Sequence, residues 1–112
     1  MHLTRIDEAP AYHPPEHFDM RCLMLQGRDA GPSDTLWLGM SQILPGGHTS
    51  LSASPSEKFY VVIEGQLTVE TPEGETILRP MDSCRIAPGE ARALKNKTNR
   101  PVIALLAMPL PK

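Results

Sequence analysis

The chain has 112 residues, a net charge of −2 and a pI near 6.0, the size of one domain with one hydrophobic core. That balance offers no basic face to nucleic acid and no acidic tail, and no apolar run reaches the roughly 18 residues of a membrane span. The opening "MHLTRIDEAPAY" carries acidic residues and no apolar segment, so it does not read as a secretory signal, and a cytoplasmic protein is expected.

Cys22 and Cys84 form no CxxC pair, and in a reducing compartment both are expected as free thiols. Twelve prolines and eight glycines recur between short β-rich runs, the pattern of an all-β domain with many turns. No segment carries a helical period. Residues 1–34 read as an N-terminal arm and loop packing on a barrel, with His13 and His17 flanking "PPE" and a loop at "DAGPSD". The barrel itself is expected over 35–112.

"TLWLGMSQIL", Thr35 to Leu44, predicts a strand ended by Pro45-Gly46-Gly47, with a second strand beginning near Ser50. "KFYVVI", from Lys58, is β-branched and aromatic without alternation, so both faces are expected to be covered. If Glu64-Gly65 is a two-residue hairpin turn, Val62 pairs with Leu67 and Tyr60 with Val69. Directly opposed residues share a face, so Lys58, Tyr60, Val62, Leu67 and Val69 point inward. Phe59, Val61, Ile63, Gln66, Thr68 and Glu70 then point outward. Three of these are large and apolar and need a cover, which a partner sheet, the N-terminal arm or a second subunit could supply.

A turn at Glu73-Gly74 leads into a strand through Ile77 and Leu78. Around Pro88-Gly89, a register pairing Ile86 with Arg92 and Cys84 with Leu94 avoids setting Arg85 beside Arg92. It turns Arg92 inward and Arg85, Ala93 and Lys95 outward. "PVIALLAMP" closes the chain, for about ten short strands in all.

Gly46 and Gly65 fall at the glycine positions of G-x5-H-x-H-x3,4-E-x6-G. Gly89 and Asn96 match G-x5-P-x-G-x2-H-x3-N, with Pro88 one place from its proline and Met81 in place of its first glycine. On these residues the chain resembles the cupin superfamily, in its small single-domain, RmlC-like form, over roughly Leu36 to Pro109. The resemblance implies a double-stranded β-helix, or jelly-roll barrel, with an N-terminal arm, and a homodimer. The four positions at which typical members ligate Fe, Mn, Ni or Zn read Ser52, Ser54, Lys58 and Arg92. Serine is a poor ligand for these metals, and the two cations repel them. Glu57 is one place out of step and faces the other way. No metal and no other cofactor is therefore expected.

Two inward cations repel each other and resist desolvation, so the arrangement makes physical sense if an anion lies between them. The expected partner is a small organic carboxylate. Arg92 would hold it, while Lys58, Tyr60 or His48 would move a proton in an isomerase, lyase or cyclase step through an enolate. Ser52, Ser54 and Gln42 would add hydrogen bonds, with Met40 and Cys84 as further lining. The competing readings are a non-catalytic small-molecule-binding barrel, a metal enzyme with atypical ligands from His48, His13, His17 and Glu57, and a barrel with no site. In that last case Lys58 would snorkel to solvent and Arg92 would pair outside with Glu90 or Glu57.

Overall fold

The structure, a computed structural model, describes Met1–Pro111. Nine strands follow in chain order: β1 (Ala11–Tyr12), β2 (His17–Gln26), β3 (Leu36–Thr49), β4 (Lys58–Glu64), β5 (Leu67–Thr71), β6 (Gly74–Leu78), β7 (Ser83–Ile86), β8 (Ala93–Lys95) and β9 (Val102–Pro109). Two short 3₁₀ turns, Ile6–Glu8 and Arg28–Ala30, are the only helical elements among the described residues. The strand order is β6-β5-β8-β3-β9-β4-β7, with β2 also on β3 and β1 on β2, antiparallel throughout. The result is a nearly closed jelly-roll barrel.

Alternation within each strand builds the core. In β3, Trp37, Gly39, Ser41 and Ile43 are buried while Leu36 and Leu44 are exposed, the period-2 signature of a strand with one face inside. Ile43, Val62, Leu67 and Val102 are completely buried at its centre.

Several sequence expectations change. Pro45-Gly46-Gly47 does not end β3. It kinks the strand, which pairs with β9 up to Ile43 and with β8 at His48. Gly46 takes the bend at φ +82, and any side chain at Gly47 would stand 2.6 Å from the Asp19 carbonyl. The strand expected near Ser50 reduces to a single bridge between Ser52 and Arg92.

Neither expected hairpin pairs its own strands. β4 lies between β7 and β9, whereas β5 lies between β6 and β8. Glu64-Gly65 and Pro88-Gly89 are corners between sheets. A corner and a two-residue hairpin both use a glycine at positive φ, here +83 and +80, so the local sequence does not separate them. The facing survives because parity along each strand is unchanged: Lys58, Tyr60, Val62, Leu67, Val69, Ile86, Arg92 and Leu94 are all buried. Thr68 and Ala93, expected outside, are buried as well. Both are small and lie in rows with longer neighbours, Thr68 between Ile77 and Lys95 and Ala93 beside Glu70.

The remaining turn shifts by one residue. Thr71 pairs with Gly74, so Pro72-Glu73 form the β5–β6 turn, where the fixed φ of proline suits the first turn position. Residues 1–34 contribute more than loop, because β2 is a ten-residue strand hydrogen-bonded along β3.

Candidate functional site

Lys58 opens β4 and Tyr60 follows two residues later, so both side chains point into the barrel. Arg92 precedes β8. Its backbone is pinned by reciprocal bonds with Ser52, Arg92 N–H to the Ser52 carbonyl at 2.9 Å and Ser52 N–H to the Arg92 carbonyl at 3.1 Å. Arg92 Nε donates to the Tyr60 hydroxyl at 3.0 Å, and Nη1 donates to Thr49 Oγ1 at 3.4 Å. Thr49 Oγ1 also accepts Leu94 N–H at 3.0 Å. These contacts orient the guanidinium and leave its remaining N–H groups for a ligand.

A cavity of about 410 Å³ opens over these groups. Lys58, Arg92, Tyr60, Ser41 and Trp37 line one part, and Leu94, Leu106 and Met108 an apolar part. The N-terminal segment closes it with Tyr12, His13, Pro14, Pro15 and His17. Tyr12 meets the Trp37 ring edge-on at 5.4 Å, and the Arg28 guanidinium, also lining the cavity, lies 5.0 Å from that ring's centroid.

The electrostatics are one-sided. Lys58 is 8% exposed and Arg92 6%, yet the ion pairs among the described residues are Arg85–Glu57, Lys95–Glu70, Lys95–Glu75 and Lys97–Glu75. No Asp or Glu among the described residues lines the cavity. Glu57 is taken by Arg85 at 2.5 Å, and Glu90 accepts Ala87 N–H at 2.9 Å, so neither serves Arg92. Burial, and then the neighbouring Arg92 charge, lowers the Lys58 pKa to about 8. Burial holds the Tyr60 phenol above its usual value against the opposing pull of Arg92. It likewise keeps the Tyr12 phenol protonated. His17 is depressed first by burial and then by the Arg92 and Lys58 charges, with its bond to the Pro15 carbonyl acting the other way.

Of the residues the sequence singled out, Lys58, Tyr60 and Arg92 come together here. Gln42 and Met40 sit on the opposite face of β3, in register with Ile103 and Leu105, because only odd-numbered residues of that stretch point inward. Their neighbour Ser41 supplies the hydroxyl instead. His48 also lies on the outer face, exposed, stacked on Phe18 with ring centroids 4.9 Å apart, Nδ1 3.1 Å from the Gly46 carbonyl. Ser52 is exposed and contributes backbone, while Ser54 accepts Ser56 N–H at 3.3 Å in a local turn. Cys84 packs half-buried against the core opposite Tyr60, its thiol pKa raised chiefly by burial.

Sequence reasoning passed over Ser41 and Thr49, and gave His17 only a minor part. The alternation Trp37, Gly39, Ser41, Ile43 carried the signal for Ser41. The pairing of His17 with Thr49, which turns His17 inward, joins two distant segments and leaves no local trace.

The family's metal fits this site poorly. Its four ligand positions hold two serines that miss the cavity and two cations, and no group of three His, Cys, Asp or Glu among the described residues is placed to hold a metal ion.

A jelly-roll barrel with a cavity lined by Lys58, Tyr60 and Arg92 defines the class of this protein. The Cupin domain model matches residues 39–108, and the chain belongs to that family. It is 38% identical over 111 residues to the protein named Beta-D-galactosidase Rv1717 of Mycobacterium tuberculosis, covering 99% of this chain and 96% of that one. Among solved structures it superposes on the polyketide cyclase RemF from Streptomyces resistomycificus with a TM-score of 0.86 at 18% identity, covering 97% of this chain and 79% of that one. An RmlC-like cupin from Shewanella frigidimarina gives 0.80 at 14% identity, covering 100% and 93%. These superpositions show the fold.

Proposed function

We propose that the barrel binds a small organic anion between Arg92 and Lys58, without a metal, and transforms it by proton transfer in an isomerase, lyase or cyclase step through an enolate. The observation that carries this reading is a pair of buried cations sharing a cavity with each other and with no lining carboxylate among the described residues. Desolvating two like charges side by side costs several kcal/mol (about that per ion) unless a counter-charge arrives, and a ligand carboxylate supplies one. Arg92 is pre-oriented by Tyr60 and Thr49, so little rotamer entropy remains to be lost on binding. Negative charge developing on an enolate oxygen would be met by groups already in place.

The single tryptophan, Trp37, lines the cavity and is a built-in reporter. Titration of malonate followed by Trp37 fluorescence should saturate, and Arg92→Ala should weaken binding by roughly 30-fold or more. Unchanged affinity in that variant would remove Arg92 from the site.

The relative named as a galactosidase favours a second reading, in which the occupant is a galactoside. Glycoside hydrolysis usually relies on two carboxylates flanking the bond, which this cavity lacks among its described lining. Release of nitrophenol from a nitrophenyl galactoside, retained in Arg92→Ala, would support that reading over the anion. We also infer a homodimer, formed through the outer face that carries Phe59 and Val61.

A further inference from the structure

We propose that Lys58 is an imine-forming amine: the pocket takes a 2-oxo carboxylate, seats its carboxylate on Arg92, and condenses the adjacent carbonyl with Lys58 Nζ. The Arg92 seat rests on the anion-binding reading above, and the amine chemistry goes beyond it. Lysines become nucleophilic toward carbonyls when they are desolvated or set beside another cation, and Lys58 meets both conditions. It is buried in the barrel wall, has no ion-pair partner among the described residues, and opens on the cavity beside Arg92. Its pKa of about 8 leaves a usable fraction of free amine at neutral pH.

His17 supplies the proton relay. It lies opposite Thr49 and therefore faces inward, as Thr49 does. Its Nδ1 is 2.7 Å from the Pro15 carbonyl. A carbonyl only accepts, so Nδ1 carries the hydrogen and Nε2 keeps its lone pair. The depressed pKa of His17 keeps the ring neutral for that task. Tyr12, Tyr60, Arg28, Arg92 and His13 are the other titratable or charged groups of the cavity. Burial holds both phenols protonated.

The step balances without a further reagent. The free amine attacks C2 as the carbonyl π pair moves to oxygen, and His17 carries the proton lost by nitrogen to that oxygen. The proton first given up by the ammonium returns through His17 to the carbinolamine hydroxyl, which leaves as water while the nitrogen lone pair closes the C=N bond, so ammonium plus ketone gives protonated iminium plus water. The iminium draws electrons from C3, and transfer of a C3 proton to the lone pair of His17 Nε2 gives an enamine, the nitrogen counterpart of an enolate. The substrate carboxylate offsets the iminium charge beside Arg92, and Leu94, Leu106 and Met108 receive an apolar tail.

The test is reductive trapping. The full chain is incubated near neutral pH with 4-methyl-2-oxopentanoate and cyanoborohydride, and adducts are mapped by mass spectrometry. The expected product is one reduced adduct on Lys58, formed roughly 100-fold faster than at Lys95 or Lys97, whose ammonium groups are held in ion pairs with Glu70 and Glu75. It should be absent from Lys58→Arg and slowed in His17→Asn, which keeps an N–H for the Pro15 carbonyl. Adducts spread evenly over Lys95, Lys97 and the N-terminus, or unchanged in Lys58→Arg, would overturn the proposal. An undiminished rate in His17→Asn would remove His17 from the step. Trp37 fluorescence tells the two readings apart. Binding of the oxo acid without an adduct sinks the imine and leaves the anion pocket standing, whereas neither binding nor adduct sinks both.

Discussion

Lys58 has no ion-pair partner among the described residues. Its ammonium is desolvated beside Arg92, a cost tolerated where function requires it. Lys58→Met keeps the stem's volume and removes the charge, so it should stabilise the protein near neutral pH by about 1–3 kcal/mol. Linkage fixes the pH dependence. Below about 8, the folded pKa, folded and unfolded chains are both protonated and the penalty is fully present. As pH rises from there toward the ordinary lysine value of about 10.4, the folded protein releases the proton first and the wild type gains stability. Urea titrations at neutral and at alkaline pH should therefore show the advantage of Lys58→Met shrinking with pH. A constant gap would mean the buried cation is not its source.

Asn96, only 2% exposed, shows the opposite economy. Its Nδ2 donates to the carbonyls of Ile43 at 3.0 Å and Arg100 at 2.7 Å, while Oδ1 accepts Thr98 N–H at 3.0 Å and its hydroxyl at 2.7 Å. Asn96→Ala would strand several buried groups and should cost about 3 kcal/mol, read as a fall in the urea midpoint at unchanged slope. The motif match at Asn96 thus marks a structural tie, while Lys58 and Arg92, where the motif fails, line the cavity. Met81 explains another departure: its φ of +73 is the conformation that makes glycine usual there.

At the scale of elements, strand parity was legible and strand partnership was not. Lys58, Tyr60 and Arg92 could be turned inward from alternation alone, because each strand buries one face whichever neighbour it has. The same rule applied to β3 would have exchanged Gln42 and Met40 for Ser41. The partners of β4 and β5 required the long connections that carry the chain between sheets, which glycine-bearing corners do not announce. β2 was hidden for a related reason: Glu16 and Asp19 take φ of 56 and 53, so its opening around His17 is kinked and bulged. Partnership also explains Met40. The outer rows Phe59–Ala107–Leu38 and Val61–Leu105–Met40 run across β4, β9 and β3 as an apolar sheet face, with Phe59 47% exposed. If a second copy covers it, light scattering should give the dimer mass, and Phe59→Asp should shift the protein to monomer. A monomeric wild type at high concentration would contradict the dimer.

For the whole molecule, composition, turn spacing and the glycine framework were enough for an all-β cupin, and the family match and superpositions agree. The pocket was half legible. Its cations stood at readable motif positions, but its cover of His17, Pro15 and Tyr12 comes from a segment whose place depends on pairing across the fold. Two buried cations, standing where the family binds a metal, are proposed to hold an anion instead. The most direct measurement is native mass spectrometry of untagged protein, paired with elemental analysis of the same sample. The expected result is transition metal well below one per chain and a co-purified organic acid that Arg92→Ala no longer retains. Stoichiometric metal lost on mild chelation would contradict it.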